Sequence, residues 1–469
     1  MSAKPAHAPT IENARRSRAR LEWLLFLTLW FAYGVAVNSG NLEAFGLQQA
    51  GVEAYVERHH LYLEGSRVAR LQVKPVVDAF LYQDHIYPAK QPGQFMVGAC
   101  AYFPLHALGL SYADNYLLTA ALVTFLTASL VTAASVVAVF RIAREFSPGE
   151  PSLFWPLLAA LAYGLATTAF AYSGVAWHDA LTAGYLTIAL YFVMRLRREA
   201  ERRRATTLAA CAGVLLGLTV TTSMLPFFMA VAVAVYFVSQ RRWRLMPAFV
   251  VGGLAGLLPL LIYNAICFGN PLLLPNVAGN YSDTFFRLDS ENFFGKLDFY
   301  TRMLTLYAPV FWAGLVGLAL LPARLRREQA LFFLMLAALA AYVLNIEANG
   351  TCQYGPRYML PAMPLACLGL AGFGLLRPRA LRLAAGVVLT ACALASFFIN
   401  LVGAMHGAML CDFPHSALAP YISEMLGGQM RSYPLAPWLT LPLCVCVVLF
   451  ARALVKRKLA VSPTGQSTQ

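Results

Sequence analysis

Long apolar stretches recur along this chain of 469 residues and are separated by short polar segments. About 20 consecutive apolar residues are enough for an α-helix to cross the hydrocarbon core of a bilayer. Hydrophobic residues make up 59% of the chain and charged residues only 12%, which is typical of a membrane protein. We predict membrane helices at residues 21–38, 115–140, 152–172, 179–195, 207–221, 224–239, 246–267, 301–321, 330–346, 358–376, 383–404 and 436–452.

Basic residues form short clusters at the ends of these stretches, at residues 15–20, 141–144, 195–204, 241–244, 324–327, 377–382 and 452–458. With the N-terminus inside the cell, every cluster faces the cytoplasm and every long polar loop faces outward, as the positive-inside rule requires. The net charge of +14 therefore reflects membrane topology, and we expect no nucleic-acid partner.

One apolar segment, residues 94–110, does not fit this alternation, because a full crossing would turn the later basic clusters outward. Pro104, His106 and Gly109 interrupt it, so we predict a helix that lies on or dips into the outer face. A thirteenth span is the alternative. The predicted fold class is an all-α polytopic membrane protein of about 12–13 transmembrane helices, with a large first outer loop containing short interfacial helices.

The chain has no Gly/Ser linker and no low-complexity tract, so we expect one integral membrane domain over residues 1–469. It comprises a cytoplasmic tail (1–20), an outer loop (39–114), a helical bundle (115–455) and a second cytoplasmic tail (456–469). The cysteines form no metal-binding pattern. Cys352 and Cys411 fall in predicted outer loops, where a disulfide between them is open if that compartment is oxidising.

Polar residues gather on the predicted outer face. The segment from Asn41 to Gly93 is the longest polar region of the chain, and residues 177–179, 268–300 and 345–357 lie at the same face. Ion pumps and channels place ionisable residues within their helices, and almost none occur there in this chain. The pattern favours an enzyme whose site lies at the outer surface of the membrane.

Several motifs on this face resemble those of a known family. Residues 64–69 (Glu-Gly-Ser-Arg-Val-Ala) and 87–93 (Tyr-Pro-Ala-Lys-Gln-Pro-Gly) resemble the first outer loop of the C-type (GT-C) integral membrane glycosyltransferases. Residues 263–264 with 268–271, and the Gly-Pro-Arg-Tyr sequence within 354–358, are similar to its bacterial branch of protein O-mannosyltransferases and lipid A aminoarabinose transferase. The similarity covers about residues 20 to 375 in order.

The resemblance implies a polyprenyl-phosphate-linked sugar as donor and inversion at the anomeric carbon. It also implies a site on the outer face of the cytoplasmic (inner) membrane and a glycan, lipid or protein as acceptor. Such a transfer needs a carboxylate base for the acceptor hydroxyl or amine, and cations for the leaving phosphate. No cofactor is implied, and a divalent metal ion stays open. The alternatives are a non-enzymatic transporter or flippase of lipid-linked sugars, and a polysaccharide polymerase or ligase.

Glu64 takes the position of the family's acidic residue and is the candidate base. The family commonly has Asp-Glu where this chain has Glu64-Gly65, so Asp78 and Asp84 are alternative bases. Each carboxylate has a structural alternative as a solvated or capping group.

The candidate substrate-binding residues follow from the same motifs. Lys90 would contact the donor phosphate as a point charge, and the planar fork of Arg357 would bind two of its oxygens. Arg67 belongs to the first motif and is assigned to the substrate as well. The remaining candidates are Tyr87 and Tyr358, which would stack on sugar or isoprenoid, and His178 and Asp179, which would orient the acceptor or assist proton transfer.

Each of these residues also has an ordinary structural role open to it. A lysine or arginine at the end of a span can snorkel to the headgroups, and tyrosines commonly form the aromatic belt of a membrane protein. Asp179 can stabilise the N-terminus of the following helix through its dipole.

Overall fold

The computed structural model describes residues 11–40, 42–68, 79–146, 152–288, 290–348, 354–407, 418–427 and 432–461. Within these ranges the chain is almost entirely helical, with one two-stranded sheet. The predicted class, an all-α polytopic membrane protein, is confirmed.

The first half of the chain contains the helices α1 (Ile11–Ala36), α2 (Leu42–Glu57), α3 (Gly93–Ala107), α4 (Tyr112–Thr124), α5 (Leu130–Phe146), α6 (Phe154–Leu165), α7 (Thr168–Ser173), α8 (His178–Leu196) and α9 (Arg202–Thr222). A π-helical turn, Phe125–Ser129, joins α4 to α5. The strands β1 (Ala79–Tyr82) and β2 (His85–Pro88) lie between α2 and α3.

The second half contains α10 (Phe227–Ser239), α11 (Met246–Phe268), α12 (Pro275–Ala278), α13 (Ser290–Tyr307), α14 (Val310–Ala319), α15 (Arg326–Val343), α16 (Met363–Leu370), α17 (Arg379–His406), α18 (Ala419–Gly427) and α19 (Ala436–Val461). Short 3₁₀ helices occur at Trp243–Leu245, Ser282–Thr284, Ala323–Leu325, Arg357–Ala362 and Ala371–Leu375.

Eight helices of the described part are long and apolar enough to cross a membrane: Arg16–Ala36, Tyr112–Phe146, His178–Leu196, Arg202–Thr222, Trp243–Phe268, Arg357–Leu375, Arg379–His406 and Ala436–Arg457. A ninth is formed if α13 and α14, which meet at a bend of 101°, are one broken span. The apolar helices α6 and α10 are shorter. The described residues therefore contain fewer full-length apolar helices than the apolar stretches predict, because some stretches are interrupted.

The predicted span 152–172 shows how an interruption arises. Thr167 has an extended backbone (φ −133°, ψ 172°), and its hydroxyl accepts a hydrogen bond from the Ala169 amide at 3.2 Å. This is the geometry of a helix N-cap, so α6 ends and α7 begins within one apolar stretch.

Helix α3 corresponds to the segment 94–110. It has 15 residues and is about 22 Å long, which is shorter than the hydrocarbon core of a bilayer. It packs on α2, with Gly51 against the Phe95 ring, and its first residue, Gly93, meets Thr222 at the end of α9. A position of this helix at the membrane surface stays a prediction.

The basic clusters gather at one end of the bundle. Arginines from the clusters at 15–20, 141–144, 195–204 and 452–458 line one cavity. Arg242 and Arg324 join this end by donating to the backbone oxygens of Glu199 and Phe146. Since α8 runs from His178 to Leu196, its first turn lies at the opposite end of the bundle.

Candidate active site

The predicted outer loop, residues 39–114, contains an antiparallel hairpin that the sequence analysis did not predict. Its register pairs Ala79 with Pro88 and Tyr82 with His85. The two turn residues, Gln83 and Asp84, have φ values of 46° and 67°, as a two-residue type I′ turn requires. The alternative base Asp84 therefore lies exposed at the hairpin tip. The other alternative, Asp78, lies outside the described residues.

Glu64 joins the preceding loop to this hairpin. Its Oε1 accepts a hydrogen bond from the Ile86 amide at 2.7 Å and lies 3.3 Å from Nδ1 of His85. The Leu63 amide donates to the Ile86 carbonyl at 2.8 Å and extends the same attachment. Oε2 of Glu64 is buried and has no hydrogen-bond partner in the described part of the chain. One oxygen of the candidate base thus attaches the loop to the hairpin, and the other is buried without a hydrogen-bond partner among the described residues.

A stack of rings lies beside Glu64. The His60 and Tyr62 rings are 3.8 Å apart, and the Tyr62 and His85 rings are 4.0 Å apart. Burial, followed by the positive charge of Arg58, lowers the pKa of His60 below its ordinary value. Burial also raises the pKa of Tyr87 to about 12. Both groups are therefore neutral near pH 7.

Glu53 fixes the backbone of the Glu-Gly-Ser-Arg motif, a role that the sequence analysis missed. Its side chain is 1% exposed, and it accepts hydrogen bonds from the Ser66 hydroxyl and from the amides of Arg67 (2.9 Å) and Val68 (3.2 Å). The side chain of Arg67, a candidate for substrate binding, is exposed. Glu53 lies within α2, and the hydrophobic pattern of that helix gave no sign that this side chain is buried.

A second group of candidates lies at the start of α8. Asp179 is fully buried, and its Oδ2 lies 3.4 Å from Nε of Arg357, which is 3% exposed. Oδ1 of Asp179 lies 3.6 Å from Nε2 of His178. The Arg357 guanidinium lies 5.0 Å from the Trp177 ring centre and 5.3 Å from that of Tyr358, within cation–π range. The structure therefore brings four sequence-predicted residues together.

The backbone conformation around Gly355 places the Arg357 side chain inside the bundle. Gly355 has a φ of 66°, a left-handed conformation that glycine adopts without strain. The Tyr354 amide donates to the Tyr172 hydroxyl at 3.0 Å, and the Tyr354 ring packs edge-on against Tyr307 at 4.8 Å. The chain then turns into the 3₁₀ helix that begins at Arg357, so the guanidinium points inward.

Lys90 belongs to the same electrostatic environment. The positive charges of Lys90 and Arg357 both act on His178 and Asp179. Tyr300, which the sequence analysis did not single out, is 3% exposed and interacts electrostatically with Arg357 and Asp179. Its hydroxyl has no hydrogen-bond partner within the described ranges.

Strand β2 connects the two groups of candidates. Glu64 is hydrogen-bonded to Ile86, and Lys90 follows four residues later, so the Cα atoms of Ile86 and Lys90 are at most about 14 Å apart. Tyr87 lies between them and is buried against Phe268, with ring centres 5.4 Å apart. The hairpin thus places the candidate base near, but not in, the cluster around Arg357.

No group of three or more His, Cys, Asp or Glu side chains that could hold a metal ion occurs among the residues with described positions. Cys352 and Cys411, the candidate disulfide pair, both lie outside those residues. In the cluster around Arg357, two cations lie close to one buried carboxylate. This arrangement is suited to binding an anion such as a phosphate.

No protein-family model and no curated protein matches this chain. Solved structures of similar fold include ArnT from Cupriavidus metallidurans bound to undecaprenyl phosphate, with 15% identity and a TM-score of 0.50 over 94% of this chain and 72% of that chain. The structure of ArnT from Cupriavidus metallidurans in the apo state has 16% identity and a TM-score of 0.51, over 95% of this chain and 72% of that chain. A third structure is the archaeal oligosaccharyltransferase AglB from Archaeoglobus fulgidus in complex with an inhibitory peptide and a dolichol-phosphate. It has 11% identity and a TM-score of 0.45, over 91% of this chain and 61% of that chain. This chain therefore shares the fold of the two ArnT structures, in agreement with the fold that its motifs predict.

Proposed function

We propose that this protein is a membrane glycosyltransferase that uses a polyprenyl-phosphate-linked sugar and acts at the outer face of the cytoplasmic membrane. The sugar passes to an acceptor hydroxyl or amine with inversion at the anomeric carbon. The observation that most supports this is the buried Asp179–Arg357 pair, with the charge of Lys90 beside it. It occurs in the fold in which ArnT was solved with bound undecaprenyl phosphate.

Lys90 and Arg357 bind the donor phosphate in this proposal. The guanidinium of Arg357 offers parallel N–H donors to two phosphate oxygens, and Lys90 adds a point charge. Trp177 and Tyr358 hold the guanidinium plane through their rings. The two cations stabilise the negative charge that develops as the bond from the anomeric carbon to the phosphate oxygen breaks.

Glu64 is the base in this proposal. Its partner-free Oε2 accepts the acceptor's proton while the acceptor oxygen or nitrogen forms a bond to the anomeric carbon. The electron pair of the broken bond leaves with the lipid phosphate. Inversion requires the base and the leaving phosphate to lie on opposite sides of the sugar, so in this proposal the sugar binds between Glu64 and Arg357.

The other candidates have supporting roles. Asp179 orients Arg357, and His178 contacts Asp179 from its other side. Tyr87, which directly follows the attachment point of Glu64 at Ile86, and Tyr358 offer flat surfaces to the sugar or the isoprenoid. The exposed side chain of Arg67 contacts the acceptor.

Mass spectrometry of surface glycans and lipids, from cells with and without this protein, identifies the product and gives the assay for variants. Glu64→Gln should abolish the product while the purified variant still binds undecaprenyl phosphate. Arg357→Lys and Lys90→Ala should weaken undecaprenyl phosphate binding. Asp298→Asn, which alters an exposed carboxylate away from the site, is the control. Full product formation by Glu64→Gln would show that another residue is the base.

A second measurement separates transfer from transport. Purified protein in vesicles that contain a labelled lipid-linked sugar should not move that lipid across the bilayer. Movement of the label without any protein-dependent change in cellular glycans would favour the transporter alternative.

A further inference from the structure

A cavity of about 1100 Å³ opens at the end of the bundle opposite the candidate active site. The distance between the cavity and the candidate active site follows from the length of helix α8. Asp179 lies in the first turn of this helix, and Arg195, which lines the cavity, lies in its last turn. At 1.5 Å per residue these two positions are about 24 Å apart. The cavity is therefore distinct from the proposed sugar-transfer site and does not depend on that function.

The cavity walls carry a surplus of positive charge. Eight arginines and four glutamates line it, a surplus of four positive charges. The arginines come from α1, α5, α8 with its following turn, α9 and α19, which are far apart in the sequence: Arg18, Arg141, Arg144, Arg195, Arg198, Arg203, Arg204 and Arg457. The tertiary fold, and not a single basic run, creates this concentration of charge.

Part of the charge is neutralised within the cavity. Glu22, 9% exposed, lies 2.9 Å from Arg141 and 3.4 Å from Arg144. Two further ion pairs join Arg198 to Glu145 and Arg204 to Glu201. These pairs involve three of the four glutamates of the lining, and the fourth, Glu199, accepts a hydrogen bond from the Glu201 amide at 3.2 Å.

Four arginines of the cavity are left over: none is within ion-pair distance of a carboxylate that the structure describes. They are Arg18, Arg195, Arg203 and Arg457. Two of them, Arg18 and Arg457, also repel Arg144 electrostatically. A concave surface with unbalanced charge of one sign and low-dielectric walls attracts ligands of the opposite sign.

Membrane topology alone does not require this arrangement. The positive-inside rule is satisfied by arginines that extend separately from the ends of the helices into water. Here they converge on one concavity against their mutual repulsion. The walls also include apolar side chains at the ends of membrane helices, among them Leu153, Pro156, Phe192 and Leu208.

We propose that this cavity binds the phosphate headgroup of an anionic phospholipid from the leaflet at this end of the bundle. Phosphate is the group that the planar fork of arginine binds with two parallel hydrogen bonds. A lipid accounts for the apolar part of the wall, against which its glycerol and upper acyl chains pack. The positive-inside rule assigns this face to the cytoplasm, where anionic lipids attract basic segments.

The test uses the purified full-length protein in an uncharged detergent, with native mass spectrometry as the readout. Phosphatidylglycerol should bind in preference to phosphatidylcholine, and inorganic phosphate should not displace it. The variant pair Arg195→Gln and Arg457→Gln should weaken phosphatidylglycerol binding about 30-fold, since each cation near an anionic lipid contributes roughly a factor of five. The matched control is Arg377→Gln with Arg379→Gln, two exposed arginines that do not line the cavity.

A second variant pair, Arg18→Gln with Arg203→Gln, should reproduce the loss and guards against misfolding of the first pair. Equal binding of phosphatidylglycerol and phosphatidylcholine to the wild-type protein would overturn the proposal. So would equal losses in the cavity and control variants. Displacement of the lipid by millimolar inorganic phosphate would show that the cavity is a site for free phosphate instead.

Discussion

Replacing Arg357 by methionine should destabilise this protein strongly, because it leaves Asp179 buried without its nearest cation. Asp179 is 0% exposed and Arg357 is 3% exposed, so water cannot solvate the remaining carboxylate without rearrangement of the bundle. Breaking a buried ion pair by removing one partner destabilises a protein by about 3–5 kcal/mol. We expect the free energy of unfolding of Arg357→Met to fall by about this amount.

The double variant Arg357→Met, Asp179→Leu tests the physical cause. It removes both charges and fills the space with apolar side chains, so no buried carboxylate is left alone. We expect it to be more stable than Arg357→Met, because replacing both members of a buried pair is often close to neutral. The double-mutant cycle should then give a coupling energy of about 1–3 kcal/mol between the two sites.

The measurement is unfolding of the purified protein by sodium dodecyl sulfate, followed by tryptophan fluorescence. The control is Arg302→Met, which breaks an exposed pair with Asp298 on the surface of α13. A surface pair contributes at most about 1 kcal/mol. The reasoning would be refuted if Arg357→Met were no less stable than Arg302→Met, or if the double variant were the least stable of the three.

Three further predictions follow from the helix packing and the first loop. Gly252→Ala should destabilise the protein by about 1–3 kcal/mol, since its Cβ would lie 2.2 Å from the Ala210 carbonyl oxygen. Gly253→Ala, whose Cβ would have its nearest neighbour at 3.9 Å, should be tolerated in the same unfolding assay. Lowering the pH below about 6.5 should reduce the thermal stability, because burial lowers the pKa of His60 and the unfolded chain therefore binds the proton more readily. The variant His60→Gln should show a smaller loss of thermal stability over the same pH range. Asp84→Gly should keep the hairpin and the glycan product, because glycine adopts the φ of 67° at this turn; loss of product with normal protein levels would identify Asp84 as the base.

The apolar stretches and the basic clusters were sufficient to predict the fold class. Backbone groups in lipid must form hydrogen bonds within the protein, and an α-helix satisfies this requirement. The length and hydropathy of the apolar stretches identify the candidate membrane helices, so the all-α polytopic class followed from the sequence. The number of full-length helices within the described ranges did not follow, because a single residue such as Thr167 ends a helix inside an apolar stretch. Whether such a residue caps or continues a helix depends on the neighbours that it meets in the fold.

The hairpin was missed for a related reason. Its turn residues, Gln83 and Asp84, lack the Asn-Gly signature, and its strands have only four residues each. Residues 79–88 become a hairpin because the side chains of Phe80 and Tyr87 pack against Phe268 at the end of α11. No pattern within the loop itself records that contact.

The candidate site was predicted residue by residue but not in its arrangement. His178, Asp179, Arg357 and Tyr358 were proposed for the substrate, and the fold joins them by successive contacts: His178 to Asp179, Asp179 to Arg357, and Arg357 to the rings of Tyr358 and Trp177. Glu64 lies in the preceding loop and is hydrogen-bonded to Ile86 of the hairpin rather than to that cluster. Sequence motifs identify residue types that suit a reaction, whereas distances between them depend on helices that are remote in the chain.

The amino-acid sequence alone was enough to predict that this chain lies in a membrane, which ends of its helices are basic, and which polar residues are available for chemistry. These properties depend on composition and local order, through transfer of side chains between water and lipid. Only the tertiary structure decided that Asp179 and Arg357, 178 positions apart, form one buried pair, and that arginines of α1, α5, α8, α9 and α19 share one cavity. The physical reason is that close packing of helices brings distant side chains within reach of each other's charge.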